Sequence, residues 1–230
     1  MGSIILDNAS LIAPELIDRA AKLSPCLLCD ALDNFGAMDY RIKPVWNGAM
    51  VIGTALTVKL RTGDNLMLHR AICQAVSGYV LVAETGGNST NAVWGDMMTR
   101  AAMKAGVSGT VVDGVVRDIE DISNFKYPVF SIGSVPQAAH RDGPGSINVP
   151  IACGGVAVAP GDLIFGSADG VVVVPRTLIE DVLGKAEKKQ AGENARFAEI
   201  DAGKIAPKWL DEKMRALGLE MGGAHVKKPS

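Results

Sequence analysis

The chain has 230 residues, of which 48% are hydrophobic and 26 are glycine, so it can bury a full core as one large or two small domains. Its net charge of −2 argues against nucleic-acid binding driven by phosphate contacts. No apolar run approaches the roughly 20 residues of a membrane span, and the start of the sequence lacks the basic and apolar segments of a secretory signal. A cytoplasmic enzyme or binding protein is therefore expected.

Two short helices are predicted between residues 13 and 36, each introduced by a proline, Pro14 and Pro25. Cys26 and Cys29 form a Cys-x-x-Cys pair on the second of these helices. No second Cys pair or Cys/His pair follows at the spacing of a zinc site. The two cysteines are therefore interpreted as small apolar side chains in the packing of the helix.

The central part of the chain predicts an alternation of strands and helices. The predicted elements are, in chain order, a strand or strand pair at 48–60, a helix at 64–76, a strand at 79–83, a flexible loop at 84–90, a helix at 94–105, a strand at 109–116, a helix at 118–124 and a strand at 128–132. This alternation predicts an α/β fold with a mainly parallel central layer.

The remainder of the chain has a different character. Residues 142–175 are rich in glycine, proline and short β-branched runs, which predicts a compact β segment with tight turns. A long charged helix is predicted from 176 to about 202, and a short helix after Pro207. Because no linker separates independent parts, we predict a single α/β domain over residues 1–203 and a helical extension over residues 204–230.

The clearest chemical signal is Asp96, followed after twenty residues by the pair Arg117-Asp118. Asp96 lies in Trp94-Gly95-Asp96-Met97-Met98, where a helix begins and free backbone N–H groups suit a small carboxylate. Arg117-Asp118 directly follows the apolar stretch 109–116. Since the carboxyl ends of strands meet at one rim of an α/β sheet, we expect these groups to lie close together.

Two carboxylates and one guanidinium suit a hard divalent cation and an anionic substrate. Asp118 has the oxygen ligands that Mg²⁺ or Mn²⁺ prefers, and Arg117 can hold a carboxylate or carbonyl oxygen with its planar fork of donors. A metal chelated by a 2-oxo acid would polarise the carbonyl group and stabilise an enolate.

Each of these signals has a structural alternative. An Arg-Asp dipeptide arises by chance, and the chain has a second one, Arg141-Asp142, in a stretch rich in glycine and proline. Asp96 could serve only as a helix cap. His69 could form a polar wall of a site, although a lone histidine on a helix is more often structural. Glu193, in the long C-terminal helix, would usually be a solvated charge.

These motifs resemble those of the 4-hydroxy-4-methyl-2-oxoglutarate and 4-carboxy-4-hydroxy-2-oxoadipate aldolases, relatives of the regulator of ribonuclease E activity A. The resemblance runs from about residue 15 to residue 203. It rests on Gly63-Asp64-Asn65, Trp94-Gly95-Asp96, Asp113-Gly114-Val115-Val116-Arg117-Asp118, Gly145-Ser146-Ile147-Asn148-Val149-Pro150, Pro160-Gly161-Asp162 and Asp169-Gly170-Val171.

The resemblance implies a class II, metal-dependent pyruvate aldolase of aromatic degradation, with oxaloacetate decarboxylation as a side activity. It also implies a swivelling β/β/α fold related to phosphohistidine domains, with a long C-terminal helix. Members of the family assemble as homotrimers or homohexamers with sites between subunits.

Carried over by position, the resemblance also implies roles for individual residues. Asp118 would bind Mg²⁺ or Mn²⁺ directly, and Asp96 would hold the metal through water. Arg117 would contact the keto and hydroxyl oxygens of the substrate. The loop residue Gly95 and the amides of Met97 and Met98 would bind the pyruvate carboxylate. A glutamate of the adjacent subunit would complete the site, with Glu193 the candidate and Glu199 the alternative.

Other functions stay open at this point. The ribonuclease E inhibitors share the fold and the Arg-Asp pair, so a non-catalytic protein-binding regulator is the main alternative; they lack a carboxylate of the Asp96 type, whose presence favours catalysis. A lyase for another 2-oxo acid is a further alternative. A menaquinone methyltransferase, a label sometimes given to such proteins, has no glycine-rich nucleotide motif here to support it.

Overall fold

The structure is a computed structural model that describes residues 2–219. Its helices are Pro14–Ala20 (α1), Pro25–Ala31 (α2), Leu66–Gln74 (α3), Asp96–Ala105 (α4), Ile119–Phe125 (α5), Ile179–Asp201 (α6) and Leu210–Ala216 (α7). Its strands are Ile4–Ile5 (β1), Lys43–Pro44 (β2), Val51–Leu60 (β3), Tyr79–Glu84 (β4), Gly109–Val112 (β5), Val115–Val116 (β6), Val129–Ser131 (β7), Gly133–Ser134 (β8), Gly145–Ile147 (β9), Ile151–Cys153 (β10), Val156–Val158 (β11), Leu163–Ser167 (β12) and Gly170–Val174 (β13).

One large sheet forms the centre of the fold. Among the described residues it has nine strands, with β1, β9, β3, β4, β5, β7 and β2 side by side and with the hairpin β12–β13 attached through β12 to β3. The pairs β3–β4, β4–β5 and β5–β7 are parallel, as the alternation of strands and helices predicts. Two small ribbons, β10–β11 and β6–β8, lie outside this sheet.

Strand β4 shows how the sheet separates two apolar layers. Its side chains alternate between the two faces of the sheet, as they must in any strand. Leu81 and Ala83 pack in the layer that contains α3 and α4, whereas Val80 and Val82 pack in the layer that contains the β10–β11 ribbon. A third apolar cluster joins α1, α2 and the start of α6 to the β12–β13 hairpin.

The stretch 109–116 does not form the single strand that its apolar sequence predicts. It divides into β5 and β6, which belong to different sheets, because Asp113 and Gly114 turn the chain between them. Asp113 accepts a hydrogen bond from the N–H of Thr85 at 2.5 Å. A Cβ atom on Gly114 would lie 2.6 Å from the Thr85 hydroxyl oxygen, so this close approach requires glycine.

The loop 84–90, predicted as flexible, is held by buried hydrogen bonds. The side chains of Thr85 and Asn88 are 1% and 5% exposed. The Asn88 amide nitrogen donates to the carbonyl of Asn91 at 2.6 Å, and the Asn88 carbonyl accepts from Val115 N–H at 3.1 Å. The loop is therefore a packed connection that fixes the position of β6.

The described residues form two compact units, one that ends at Lys188 and one that begins at Lys189, and the division falls inside α6. The first unit confirms the predicted mixed α/β domain, and α6 is the predicted long C-terminal helix. The predicted boundary at residue 203 stays a prediction, since residues 220–230 of the predicted extension lie outside the described part. No helix within residues 2–219 is long and apolar enough to cross a membrane.

Candidate functional site

The start of α4 and the end of β6 bring together the residues that the sequence singles out. Backbone hydrogen bonds join the two segments, from Val93 N–H to Val115 O and from Arg117 N–H to Trp94 O, each 3.0 Å long. The Asp118 carboxylate then accepts the N–H of Asp96 at 3.1 Å. The Asp118 carboxylate and the Arg117 guanidinium therefore lie beside the backbone of Asp96, although twenty residues separate Asp96 from Arg117 in the chain.

Asp118 lies at the centre of this group. Its Oδ2 atom is 3.4 Å from Nε of Arg117, and the two side chains are 31% and 37% exposed. The backbone of Asp118 is left-handed, with φ 58° and ψ 43°, a conformation that aspartate tolerates better than most residues but that still carries strain. This conformation ends the β6 segment and starts α5, and so fixes the direction in which the carboxylate leaves the backbone.

Glycine is required at position 95 because neighbouring side chains lie close to it, and not because of its backbone conformation. Its φ and ψ are both −165°, an extended conformation that any residue can adopt. A Cβ atom there would lie 2.5 Å from Oδ2 of Asp118 and 3.2 Å from Cγ of Arg117. The absence of a side chain therefore lets the Arg117-Asp118 pair approach the start of α4.

The start of α4 is rigid. The indole Nε1 of Trp94 donates to the Thr99 hydroxyl at 2.8 Å, and that hydroxyl donates to the carbonyl of Gly95 at 3.0 Å. The Trp94 ring is 1% exposed and stacks on Tyr127 at 6.3 Å. The N–H groups of Met97 and Met98 belong to the first turn of the helix, where they have no intrahelical acceptor and are suited to an anion.

A cavity of about 140 Å³ opens at this point. Gly95, Asp96, Met97, Met98 and Arg117 all line it, so the structure places these five predicted site residues on one wall. Asp118 lies behind Gly95 and faces a second, neighbouring cavity of about 340 Å³, which Arg117 also lines. The roles of these residues stay predictions.

Three further polar residues also line the cavity: Asn65, His69 and Arg141. The Asn65 side chain is buried, and its Oδ1 atom has no hydrogen-bond partner within residues 2–219; the same is true of Nε2 of His69. Burial, and then the charge of Arg141, lower the pKa of His69, so the imidazole is neutral at pH 7. His69 thus lies where its interpretation as a polar wall of a site places it, and Arg141 belongs to the second Arg-Asp pair of the chain.

Asp64 connects the segments that carry these three residues. Its Oδ2 atom accepts the N–H groups of Asp142 at 2.6 Å and Gly143 at 2.9 Å, and Oδ1 accepts the N–H of Leu66 at 2.9 Å. Burial alone would raise the pKa of this carboxyl group, but the three N–H donors outweigh burial and lower it. Asp64 therefore accepts the first N–H of α3 and also holds the segment after His140.

The two candidate glutamates lie on α6, in the unit that begins at Lys189. Glu193 is half-buried within that unit. Glu199 makes ion pairs with Lys208 at 2.7 Å and Arg196 at 3.1 Å, all within the same unit. These pairs lower the pKa of Glu199. The role of either glutamate in a neighbouring subunit stays a prediction.

The residues present fit a divalent metal that keeps several water ligands. Within the described part of the chain no three His, Cys, Asp or Glu side chains are grouped as a metal site. The Asp118 carboxylate lies beside the start of α4, where it accepts the N–H of Asp96 and where Gly95 has no Cβ atom to displace it. Mg²⁺ and Mn²⁺ commonly bind through one or two carboxylates and complete their shell with water and substrate oxygens.

Known proteins share both the sequence and the fold. A family model described as RraA-like, Aldolase/RraA, matches residues 25–173. A protein of Halalkalibacterium halodurans that carries the name "Putative 4-hydroxy-4-methyl-2-oxoglutarate aldolase" is 42% identical over 200 residues, which cover 87% of this chain and 95% of that protein.

Two solved structures have the same fold. An uncharacterized protein from Pseudomonas syringae pv. tomato is 33% identical, with a TM-score of 0.75 over 85% of this chain and 96% of that one. The Streptomyces coelicolor protein RraAS2, described as an unusual member of the RNase ES inhibitor RraA protein family, is 28% identical, with a TM-score of 0.73 over 82% and 98% of the two chains. The relatives thus include proteins with an enzyme name and proteins with an inhibitor name.

Proposed function

We propose that this chain, which belongs to the RraA-like family (Aldolase/RraA), is a divalent-metal-dependent aldolase that releases pyruvate from a 4-hydroxy-2-oxo acid. The substrates proposed are 4-hydroxy-4-methyl-2-oxoglutarate and 4-carboxy-4-hydroxy-2-oxoadipate, with oxaloacetate decarboxylation as a side activity. The proposal includes assembly as a homotrimer or homohexamer, in which Glu193 of one subunit reaches the site of the next.

The observation that carries the proposal is the hydrogen bond from Asp96 N–H to the Asp118 carboxylate, with Arg117 3.4 Å from the same oxygen. It brings a carboxylate for a hard metal and a guanidinium to the first turn of α4, the turn in which Asp96 offers a second carboxylate. A protein-binding surface would need none of these groups to face a cavity.

The metal would be held by Asp118 and, through water, by Asp96. When bound, it supplies a Lewis acid that polarises the 2-oxo group and stabilises negative charge on its oxygen. Mg²⁺ and Mn²⁺ both suit two carboxylates and a partly hydrated shell.

The other residues of the site bind the substrate and stabilise the negative charge that forms on it. The amides of Met97 and Met98 hold the C1 carboxylate at the start of α4. Arg117 donates hydrogen bonds to the C2 oxygen and to the C4 hydroxyl oxygen, and it holds them in one plane with its fork of donors. Gly95 leaves room for the Arg117-Asp118 pair beside the start of α4.

The reaction follows from this arrangement. Asp96 accepts, through water, the proton that leaves the C4 hydroxyl, and the C3–C4 bond breaks as the C4 carbonyl forms. The bonding electrons pass into the pyruvate enolate, whose negative oxygen Arg117 stabilises by donating N–H bonds. Protonation at C3 then gives pyruvate, and the second keto acid leaves. Oxaloacetate yields the same enolate when it loses CO₂.

The test is pyruvate formation from oxaloacetate by pure protein with Mg²⁺ or Mn²⁺, with EDTA as the control for metal dependence. Asp118→Ala should lose turnover by at least about 100-fold while the protein stays folded. The matched control is Asp121→Ala, an exposed carboxylate in the first turn of α5. Full activity of Asp118→Ala would contradict the metal role of Asp118. A folded wild-type protein that forms no pyruvate would favour a different 2-oxo acid substrate or a protein-binding regulator.

A further inference from the structure

Arg141 provides a second positive charge at the cavity. Arg117 is already paired with Asp118, whereas the Arg141 guanidinium makes no hydrogen bond or ion pair within residues 2–219. Its charge nevertheless acts on the cavity, because it contributes to the lowered pKa of His69 on the same wall. An arginine that lines a cavity without such partners is suited to bind an anionic group of a ligand.

A substrate with a single carboxylate would not need this second positive charge for binding. In the proposed function the C1 carboxylate of the substrate is held by the first turn of α4, and Arg117 serves the keto and hydroxyl oxygens. Arg141 comes from a different segment, between β8 and β9, and is left for another anionic group. The cavity therefore suits a 2-oxo acid that carries a second carboxylate.

The segment that carries Arg141 has a fixed backbone. Asp64, which is 2% exposed, accepts the N–H groups of Asp142 and Gly143 directly after Arg141. The backbone of His140, directly before it, donates to Gly63 O at 2.8 Å and accepts from Asn65 N–H at 3.0 Å. Arg61 adds a bond from Nη1 to the carbonyl of Gly143 at 3.1 Å. The side chain of Arg141 is exposed, but its Cα is anchored on both sides.

We propose that Arg141 determines specificity by binding the second carboxylate of the substrate, and that Asp64 is the positioning residue that holds Arg141 at the cavity. This inference rests on the proposed aldolase function and adds to it the residue that distinguishes a dicarboxylic from a monocarboxylic ligand. Asp64 touches no ligand in this arrangement. It acts through the backbone of residues 142 and 143, and it also starts α3, which carries Asn65 and His69 to the same wall.

The test compares two ligands that differ in the second carboxylate. The KM for cleavage of 4-hydroxy-4-methyl-2-oxoglutarate is measured beside the KM for pyruvate in metal-dependent exchange of its C3 hydrogens with deuterium. Arg141→Gln should raise the first KM about tenfold, the cost of one charge-assisted hydrogen bond, and at least fivefold more than the second. Arg70→Gln is the matched control, because Arg70 is an exposed arginine on α3 that does not line the cavity; it should leave both constants at their wild-type values.

The role of Asp64 is tested by a double-mutant cycle. Asp64→Asn should also raise the KM for the dicarboxylate more than the KM for pyruvate. In the Arg141→Gln background the same change should add less than about twofold, because the residue that it positions is gone. If Asp64→Asn fails to fold, Arg61→Gln replaces it in the cycle, since it removes a partly buried hydrogen bond to the carbonyl of Gly143 in the same segment.

The outcomes separate the two proposals. A wild-type protein that exchanges no pyruvate hydrogens with Mg²⁺ or Mn²⁺ overturns the proposed function itself. If the wild type is active but Arg141→Gln raises both KM values equally, or neither, the specificity role of Arg141 is wrong. If the effects of Asp64→Asn and Arg141→Gln simply multiply, Asp64 has only a structural role and the positioning role is wrong.

Discussion

Replacing Gly95 by alanine should lower the activity of the site while leaving the free energy of unfolding almost unchanged. The backbone at Gly95 is extended, so alanine adopts it without strain, and the loss of glycine's freedom in the unfolded chain favours folding by about 0.4–1 kcal/mol. The new Cβ atom would lie 2.5 Å from Oδ2 of Asp118. This is about 1 Å short of an ordinary contact distance of ~3.5 Å, so one of the two atoms has to move.

The carboxylate of Asp118 is the part that can move. It is the end of a short side chain that is 31% exposed, and its rotation breaks only the bond from Asp96 N–H and the contact with Arg117. A hydrogen bond to a partly exposed charged group contributes about 1 kcal/mol. That loss is close to the stabilisation that alanine gives by restricting the unfolded chain. The free energy of unfolding should therefore change by less than about 1 kcal/mol. A displacement of about 1 Å at the reacting groups, in contrast, costs about 100-fold in rate.

The assay measures three properties of Gly95→Ala: the thermal midpoint, the affinity for Mn²⁺, and the rate of pyruvate formation from oxaloacetate. The matched control is Gly184→Ala, on α6, where a Cβ atom would meet nothing within 4 Å. It should keep wild-type activity and gain stability, since alanine is favoured over glycine in a helix by about 1 kcal/mol. Wild-type turnover and metal affinity in Gly95→Ala would refute the view that Asp118 acts from beside the start of α4.

Three further variants test other groups. Arg117→Lys should lose at least about tenfold in kcat with oxaloacetate, because an ammonium group cannot donate the planar pair of hydrogen bonds; equal kcat values would contradict that role. Glu193→Ala should weaken Mn²⁺ binding measured by calorimetry without changing the oligomeric state, and an unchanged affinity would exclude the role across subunits. The pKa of Asp64 is lowered in the folded protein, so its stabilisation is complete above the ordinary pKa of about 3.9 and is lost as the pH falls below it. Urea unfolding should therefore show a larger difference between wild type and Asp64→Asn at pH 6 than at pH 3, and equal differences at the two pH values would contradict the assigned pKa direction.

Most of the secondary structure could be predicted because its signals are local. Pro14 and Pro25 begin α1 and α2 as predicted, and Ser24 caps α2 by accepting the N–H of Leu27 at 3.2 Å. The division of residues 109–116 could not be predicted in the same way. The turn between β5 and β6 depends on the hydrogen bond from Thr85 to Asp113, and Thr85 lies far away in the chain.

The same distinction applies to the cavity. The proximity of Asp96 and Arg117 could be predicted from two short motifs, each of which is visible within its own segment. Arg141 gave no local signal, since its neighbours are those of an ordinary loop. The buried carboxylate of Asp64, more than seventy residues earlier, fixes the backbone of this loop together with the neighbouring residues Arg61, Gly63 and Asn65. Asp64 and the loop that carries Arg141 are both visible in the sequence, but no sequence pattern indicates that they interact.

The charges at the cavity explain why Arg141 is not redundant. Asp96 and Asp118 carry two negative charges, and Arg117 and Arg141 carry two positive charges, so the four groups together are neutral. A divalent metal and a dicarboxylate bring charges of +2 and −2, so the sum over these groups stays zero, and the proposed Glu193 of the neighbouring subunit adds one negative charge. Without Arg141, the same complex would carry one more uncompensated negative charge in a partly buried site, where effective dielectric constants near 20 make such an imbalance costly. Arg141 thus offsets the negative charge that a second carboxylate brings to the site.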